Sequence, residues 1–348
     1  MSDILSTESG IIDEPVLKRK SEDEVKEVRG GLSATALKMV AVICMIIDHL
    51  AAFILYRMIA FGIIKTNVVL FEVGGMRYSP ERLIYYVMRG IGKISFPLFA
   101  FFIVEGFMHT KSRAKYLARL LVFALISQLP FAIAFEGLGK SFGHLMIPTN
   151  VLYTLALGLI VIWGADTLKK YAPGGFVAVC FRILVCIVPT AYVAYEIYRI
   201  LCINDSLALQ PMLFGWIWLG IGLAVFFALY IYGKFGSKEN ARAISSSVSL
   251  LGFGMIIADL LETDYSSIGV LIIFVMYVMA KRNKTAGMTI GVTLLSLNNL
   301  IELPAFADVF LISRYNGKRG KNWKYFFYIF YPAHLAIIVL VLYITKLI

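Results

Sequence analysis

A histidine and an aspartate stand side by side deep inside the first long apolar run of the chain. The run extends over residues 35–63, and Asp48 and His49 lie near its middle. An ionisable group at the centre of a membrane helix costs about 2.5–3.5 kcal/mol on insertion scales, so it needs a partner or a function. A neutral imidazole can take a proton from an attacking amine or hydroxyl near neutral pH. We therefore predict that His49 is a general base; the alternative is a structural histidine that bonds a backbone carbonyl and joins two helices.

The helical repeat predicts how these side chains are directed. Neighbours on an α-helix are about 100° apart, so Asp48 and His49 cannot face the same way. Lys38, eleven residues before His49, lies on nearly the same face. We expect His49 to face a cavity and Asp48 to pair elsewhere in the bundle.

The second apolar run contains two cations one helical turn apart, Arg89 and Lys93. Like charges at this spacing repel each other, so they require an anion: Asp48, Glu105 or the phosphates of a ligand. The alternative is that both side chains extend to one membrane interface. Pro97 predicts a kink after the cations, and Glu105 is the best second carboxylate.

A cluster of cations stands between glycines near the end of the chain. Lys318, Arg319 and Lys321 belong to the run from Tyr315 to Lys321. Such a loop can surround a phosphate group with backbone amides and charges. The alternative is a loop that binds lipid headgroups beside the aromatic run at residues 325–328.

The remaining histidines and cysteines indicate no metal site. His334 lies in the last apolar run, where Pro332 frees a backbone carbonyl for a nearby donor. The four cysteines lie in or beside apolar runs, with no CxxC pair and no histidine at ligand spacing. We expect them to be small core residues.

The elements that must position these residues are membrane helices. The chain is 59% hydrophobic and only 16% charged, with a mean hydropathy of +0.80, whereas soluble domains are about 25% charged. We predict an all-α, polytopic integral membrane bundle of about nine or ten transmembrane helices. The predicted spans are residues 35–63, 83–108, 116–135, 150–168, 175–201, 211–233, 244–262, 266–281, 285–303 and 325–347. Residues 1–34 mix acids and bases without apolar periodicity and are predicted to be a disordered cytoplasmic tail, so the transmembrane domain comprises residues 35–348.

The lysines and arginines of the loops predict sidedness. They favour alternate loops, which places the N-terminus in the cytoplasm and the protein in the cell membrane. The loops at residues 60–82 and 314–324 break the alternation. Either they fold back against the bundle or residues 285–312 form a re-entrant hairpin, broken at Asn298-Asn299 and Pro304; we favour the hairpin for the later loop. The net charge of +11 lies in short loops, which indicates lipid headgroups rather than nucleic acid as the partner.

These segments, in this order, resemble the TraX family, named for a conjugal-transfer component associated with N-terminal acetylation of pilin. The resemblance covers roughly two thirds of the chain. It rests on Leu37-Lys38 with Ile47-Asp48-His49, the run Arg89–Phe101 with Glu105-Gly106-Phe107, Lys115-Tyr116-Leu117 with Arg119-Leu120, Ser127–Phe131, Asn150-Val151-Leu152 with Thr154-Leu155, Asp264-Tyr265, Gly317–Lys321 and Tyr331–His334. The family is in turn similar to integral membrane acyltransferases that take acetyl-CoA from the cytosol and use an intramembrane histidine.

The resemblance implies transfer of an acetyl group from acetyl-CoA to an amine or hydroxyl, with a pilin-like N-terminus as the acceptor. His49 would then be the general base, and Asp48 or Glu105 would orient it or bind the acceptor amine. The coenzyme phosphates would be held by Arg89, Lys93, Lys318, Arg319 and Lys321.

Two other functions remain open. In a transporter or export accessory, Asp48, His49, Glu105 and Arg89 would form a proton or substrate relay. Such proteins usually contain paired broken helices, and the sequence predicts one broken region. In a scaffold for an envelope machine, this many buried charges would be an unnecessary cost.

Overall fold

The computed structural model describes residues 31–64, 68–73, 76–136, 148–171 and 234–347, with isolated positions between the last two ranges. Residues 1–30 of the predicted tail, residues 1–34, and the predicted spans 175–201 and 211–233 lie outside the described residues or nearly so. Residues 31–34, the end of the predicted tail, are part of the described structure. Leu32 pairs with Tyr315, and Ser33 caps the first helix.

In the first half of the chain, the described residues form six helices and a small hairpin. Helix α1 continues through a π-helical turn, Leu50–Leu55, into α2, and a two-stranded antiparallel sheet precedes α3. The bounds are α1 Ala34–His49, α2 Tyr56–Ala60, β1 Phe71–Val73, β2 Met76–Tyr78, α3 Pro80–Gly92, α4 Ser95–His109, α5 Arg113–Glu136 and α6 Val151–Lys170.

The second half forms five further described helices, two of which are joined by a 3-10 helix, Leu300–Phe306. The bounds are α7 Lys238–Leu260, α8 Ser266–Met279, α9 Lys284–Asn298, α10 Ala307–Ser313 and α11 Lys324–Ile344.

Within the described ranges, six helical runs are long and apolar enough to cross a membrane. They are Ala34–Ala60, Pro80–His109, Arg113–Phe135, Val151–Lys170, Lys238–Leu260 and Tyr325–Ile344. The predicted all-α, multi-pass membrane bundle is confirmed. Helix α4 lies at the centre of the core, where its Leu98, Phe101 and Phe107 side chains are almost fully buried.

The kink predicted at Pro97 is present. The second span is interrupted between Gly92 and Ser95, directly before that proline. Pro97 stands in the first turn of α4, where a helix needs no N–H from that residue. Pro130 lies inside α5, which continues to Glu136, close to the predicted end of this span at residue 135.

The chain breaks and turns back within residues 285–312, as expected for the hairpin predicted from the loop charges. Helix α9 ends at Asn298, and α10 returns the chain to the end of the bundle from which it came. Both ends of the segment meet one carboxylate. Lys284 Nζ lies 2.9 Å from each Glu105 oxygen, and Tyr315 OH lies 3.3 Å from Glu105 Oε1. We call residues 284–315 the re-entrant hairpin.

The tip of the re-entrant hairpin reaches the start of α4, where Glu302 pairs with Lys93 at 2.7 Å. Glu105 and Lys93 are twelve residues apart along α4 and the turn before it, or roughly 18 Å at helical rise. The length of the hairpin along the bundle is therefore about half the thickness of a bilayer core.

Other helices also begin or end at this depth. Asn150 caps α6 by accepting a hydrogen bond from Leu152 N at 3.1 Å. Thr149 pairs with Thr263 in the short turn before α8, so the two helix starts lie side by side. Gln128 accepts hydrogen bonds from the backbone and the side chain of Asn150. The interior of the bundle therefore contains a polar layer, in which polar side chains form hydrogen bonds with the free backbone groups at helix ends.

Candidate functional site

The two intramembrane histidines predicted separately are in direct contact. His49 Nδ1 lies 2.7 Å from His334 Nε2, and the rings are nearly parallel, with centroids 5.0 Å apart. His49 ends α1 where the π-helical turn begins, and His334 projects from α11. The rings of Phe53 and Tyr331 pack beside His49, at 5.3 and 6.4 Å between centroids.

The hydrogen bonds define the protonation pattern of this pair. His334 Nδ1 lies 2.9 Å from the carbonyl oxygen of Phe330, which can only accept, so this nitrogen donates. In a neutral His334 ring, Nε2 is then the acceptor, and His49 Nδ1 must donate to it. His49 Nε2 is left with its lone pair available. The arrangement can take up a proton at that atom, as a general base requires.

The carboxylates expected to orient His49 lie elsewhere. Asp48 pairs with Arg89 at 2.6 Å, one of the partners that the sequence suggested. Helix α3 approaches closely here because Gly92 has no side chain: a Cβ at this position would overlap the Asp48 carboxyl. Glu105 binds Lys284 and Tyr315, and the histidine near it is His109, at 3.9 Å, rather than His49. The group that contacts His49 is His334, whose role the sequence analysis did not assign.

The charges at the break between α3 and α4 form one group, which we call the ion layer: Asp48, Arg89, Lys93, Asp264 and Glu302. Two ion pairs neutralise Arg89 and Lys93. The Asp264 carboxylate acts electrostatically on both cations. Arg89 and Lys93 were expected to bind coenzyme phosphates together with the late basic loop. Their partners within the ion layer are carboxylates, and neither lines the cavity described next.

A cavity of about 580 Å³ lies between α1, α4, α5, α6 and α11. Its mouth contains Arg319 and Lys321, while Lys318 is not part of the lining. Its other walls are largely apolar and aromatic, and they include Phe330 and Tyr331. These two rings contact the histidine pair, so one aromatic layer separates the cavity from His49 and His334.

The basic loop at the mouth is fastened to the start of α1. Ala34 N and Thr35 N donate to the carbonyl oxygens of Lys318 and Arg319, at 2.9 and 3.1 Å. Thr35 Oγ1 also lies 2.8 and 2.7 Å from the carbonyl oxygens of Arg319 and Lys321. Gly320 has φ +74°, and a Cβ there would meet Ser33 Oγ at 2.6 Å. The loop carbonyls therefore satisfy the first N–H groups of α1, and the loop is held over the cavity.

At this end of the bundle, Tyr315 donates to Glu105. Burial, and then the charge of Glu105 and the hydrogen bond to it, raise the pKa of the Tyr315 phenol above its ordinary value. Tyr315 therefore keeps its proton at physiological pH and remains a donor. This contact closes the base of the re-entrant hairpin.

Two further cations, Lys38 and Arg119, line the cavity. Helical spacing places Lys38 on nearly the same face of α1 as His49, and of these two side chains only Lys38 lines the cavity. No binding role was predicted for Arg119, which belongs to one of the motifs of the family resemblance. Among the described residues, no group of three His, Cys, Asp or Glu side chains is placed to hold a metal ion.

One curated relative is the Probable fimbrial assembly protein FimC, serogroup H1, of Dichelobacter nodosus. It is 36% identical to this chain over 134 residues, which are 37% of this chain and 45% of the relative. The match thus spans less than half of the relative's length. No solved structure matches the chain.

The model of the family described as TraX protein matches residues 33–210 and 191–342. These segments include α1 with His49, the ion layer, the basic loop and His334. The resemblance predicted from the motifs is confirmed, and the chain belongs to the TraX family.

Proposed function

We propose that this protein is a membrane-embedded acyltransferase that moves an acetyl group from acetyl-CoA to an amine or hydroxyl acceptor. The observation that supports this most directly is the histidine pair. His49 Nδ1 is bonded to His334, which leaves Nε2 as a proton acceptor next to the aromatic end of a cavity with a basic mouth.

The cavity has the polarity that a coenzyme thioester requires. Arg319 and Lys321 at the mouth would bind phosphate groups, and the apolar walls would receive the long arm that ends in the thioester. Lys38 and His49 lie on one face of α1, eleven residues or roughly 17 Å apart, so the arm would run along this helix.

The reaction would proceed by general base catalysis. His49 Nε2 takes a proton from the acceptor nitrogen or oxygen as that atom attacks the thioester carbonyl carbon. The carbon–sulfur bond then breaks, and the coenzyme leaves as a thiolate that takes up a proton. The Phe330 and Tyr331 side chains lie between the cavity and His49, so one of them must move to bring the reactants together.

The identity of the acceptor is suggested by the relatives of this chain. The family resemblance suggests a pilin-like N-terminal amine, and a curated relative is named as a probable fimbrial assembly protein. We place the protein in the cytoplasmic membrane with its N-terminus and the basic loop facing the cytosol, where the donor is made. The hydrogen bonds between this loop and the start of α1 support the placement of both on the same side of the membrane.

The direct test uses purified protein in lipid nanodiscs, supplied with acetyl-CoA and a peptide with a free N-terminus. Release of coenzyme thiol and the mass gain of the peptide are followed together. We expect turnover by the wild type and loss of turnover in His49→Gln. A His49→Gln variant as active as the wild type would remove this assignment.

A transporter or export accessory is a second candidate, because the ion layer provides charged side chains at about half of the bundle depth. Liposomes containing the protein and a pH-sensitive dye would distinguish the two functions. Proton flux that is abolished by Asp48→Asn, without acetyl transfer under any condition, would favour transport.

A further inference from the structure

Lys38 is a cation inside the cavity without a matching anion. Its ammonium lies 4.8 Å from the centre of the Phe102 ring and 5.7 Å from that of Phe327, and in the described part of the chain it forms no ion pair. Glu105 attracts it electrostatically, but that carboxylate is bound by Lys284, and Arg319 repels it. Aromatic faces hold a cation but do not neutralise its charge.

Arg119 provides a second charge of the same kind from α5. Its guanidinium stands 6.0 Å from the Tyr116 ring centre, and its Nε is buried with no hydrogen-bond partner among the residues described. A buried donor without a partner is destabilising, so this side chain would gain from a ligand that supplies an acceptor.

The charge of the whole cavity has the same sign. Its lining contains four cations and one carboxylate, which is already paired. The cations are Lys38, Arg119, Arg319 and Lys321. A cavity that combines excess positive charge with apolar walls suits a ligand with an anionic group and a long, weakly polar chain.

We infer that Lys38 and Arg119 form an inner phosphate-binding subsite, separate from the basic loop, for an organic phosphate whose arm extends towards His49. This chemistry is shared by a nucleotide coenzyme and by an anionic phospholipid. In the coenzyme case the subsite rests on the proposed function and would bind the phosphates nearest the thioester arm. Lys38 is then a binding residue that determines how far the donor enters.

The test measures binding in nanodiscs made of phosphatidylcholine alone. Coenzyme A is titrated by calorimetry against the wild type, Lys38→Met, Lys38→Arg and Arg119→Met. Retention of phosphatidylglycerol is measured on the same proteins by native mass spectrometry. Lys38→Met keeps the contacts with the aromatic rings and removes only the charge. Lys115→Met is the matched control, because Lys115 is an exposed residue of α5 that does not line the cavity.

We expect Lys38→Met and Arg119→Met each to weaken binding of one probe by about 10- to 100-fold, as for a lost charged hydrogen bond. Lys38→Arg should stay within a few-fold of the wild type, and Lys115→Met should match it. Loss of coenzyme A binding identifies a coenzyme subsite, and loss of phosphatidylglycerol retention alone identifies a lipid subsite. Size-exclusion profiles and melting temperatures exclude misfolding as the cause.

Binding of both probes that is unchanged in Lys38→Met and Arg119→Met overturns the subsite, as does an equal loss in Lys115→Met. The proposed function fails separately. Binding of coenzyme A that depends on Lys38, without acetyl transfer, supports the subsite and removes the transferase. Acetyl transfer together with binding that does not depend on Lys38 or Arg119 supports the transferase and overturns the subsite.

Discussion

His49 Nδ1 and His334 Nε2 are 2.7 Å apart, and His334 Nδ1 is held in turn by the carbonyl oxygen of Phe330 at 2.9 Å. This chain of hydrogen bonds joins α1 to α11 and leaves His49 Nε2 as the available proton acceptor. A base whose other nitrogen is bonded keeps one tautomer and one ring orientation, and the value of a base in catalysis depends on both.

His334 should act as a positioning residue for His49. We expect His49→Gln to lower kcat for acetyl transfer by about 10²- to 10⁴-fold. His334→Leu should lower kcat less and leave KM for acetyl-CoA unchanged, and His334→Gln, whose amide oxygen can accept from His49, should recover part of the loss. Equal losses in the Leu and Gln variants would contradict positioning through this hydrogen bond. The control is Lys115→Met, because Lys115 is an exposed residue of α5 that does not line the cavity.

The Asp48–Arg89 pair should stabilise the bundle rather than take part in the reaction. Both side chains are about four-fifths buried, so Asp48→Asn leaves an unbalanced charge at a cost of up to about 3 kcal/mol. The double variant Asp48→Leu/Arg89→Met should be more stable than Asp48→Asn. Unfolding in denaturant, measured in detergent micelles, tests this order. Loss of acetyl transfer in Asp48→Asn at unchanged stability would instead assign Asp48 to the site.

The Glu105–Lys284 contact should hold the base of the re-entrant hairpin. We expect Glu105→Gln and Lys284→Met each to destabilise the protein by about 1 kcal/mol, since Lys284 is one-third exposed and water screens the pair. In a double-variant cycle the two effects should be non-additive, with a coupling of at least about 0.5 kcal/mol. Strictly additive effects would mean that Glu105 acts independently of the hairpin.

Gly320 and Gly317 offer a matched comparison in the basic loop. Both have positive φ, +74° and +73°, so alanine at either position costs about 1–2 kcal/mol of backbone strain. Only at Gly320 would the new Cβ also meet Ser33, whereas nothing lies within 4 Å of it at Gly317. Gly320→Ala should therefore weaken coenzyme A binding at least several-fold more than Gly317→Ala in calorimetric titrations. Equal binding by the two variants would show that the fastening of the loop to α1 does not matter.

Part of the site could be predicted because membrane insertion penalises charge so strongly. Asp48, His49, Arg89 and Lys93 were recognisable from their depth alone, and Asp48 was among the named partners of Arg89. The re-entrant hairpin was predicted because its basic loop violated the charge alternation. Glu105 was placed correctly inside the bundle, but its partner Lys284 is 179 residues away along the chain, and no local pattern pairs them.

The sequence by itself determined that this protein lies in a lipid bilayer and that its described spans are helical. It also identified the ionisable residues that lie unexpectedly inside those apolar spans. These properties follow from composition and local periodicity. The tertiary structure decided the partners: it joined His49 to His334, separated Arg89 and Lys93 from the basic loop, and placed Lys38 in the cavity. Such choices depend on which helix faces meet, and residues distant in sequence meet only when the whole bundle packs.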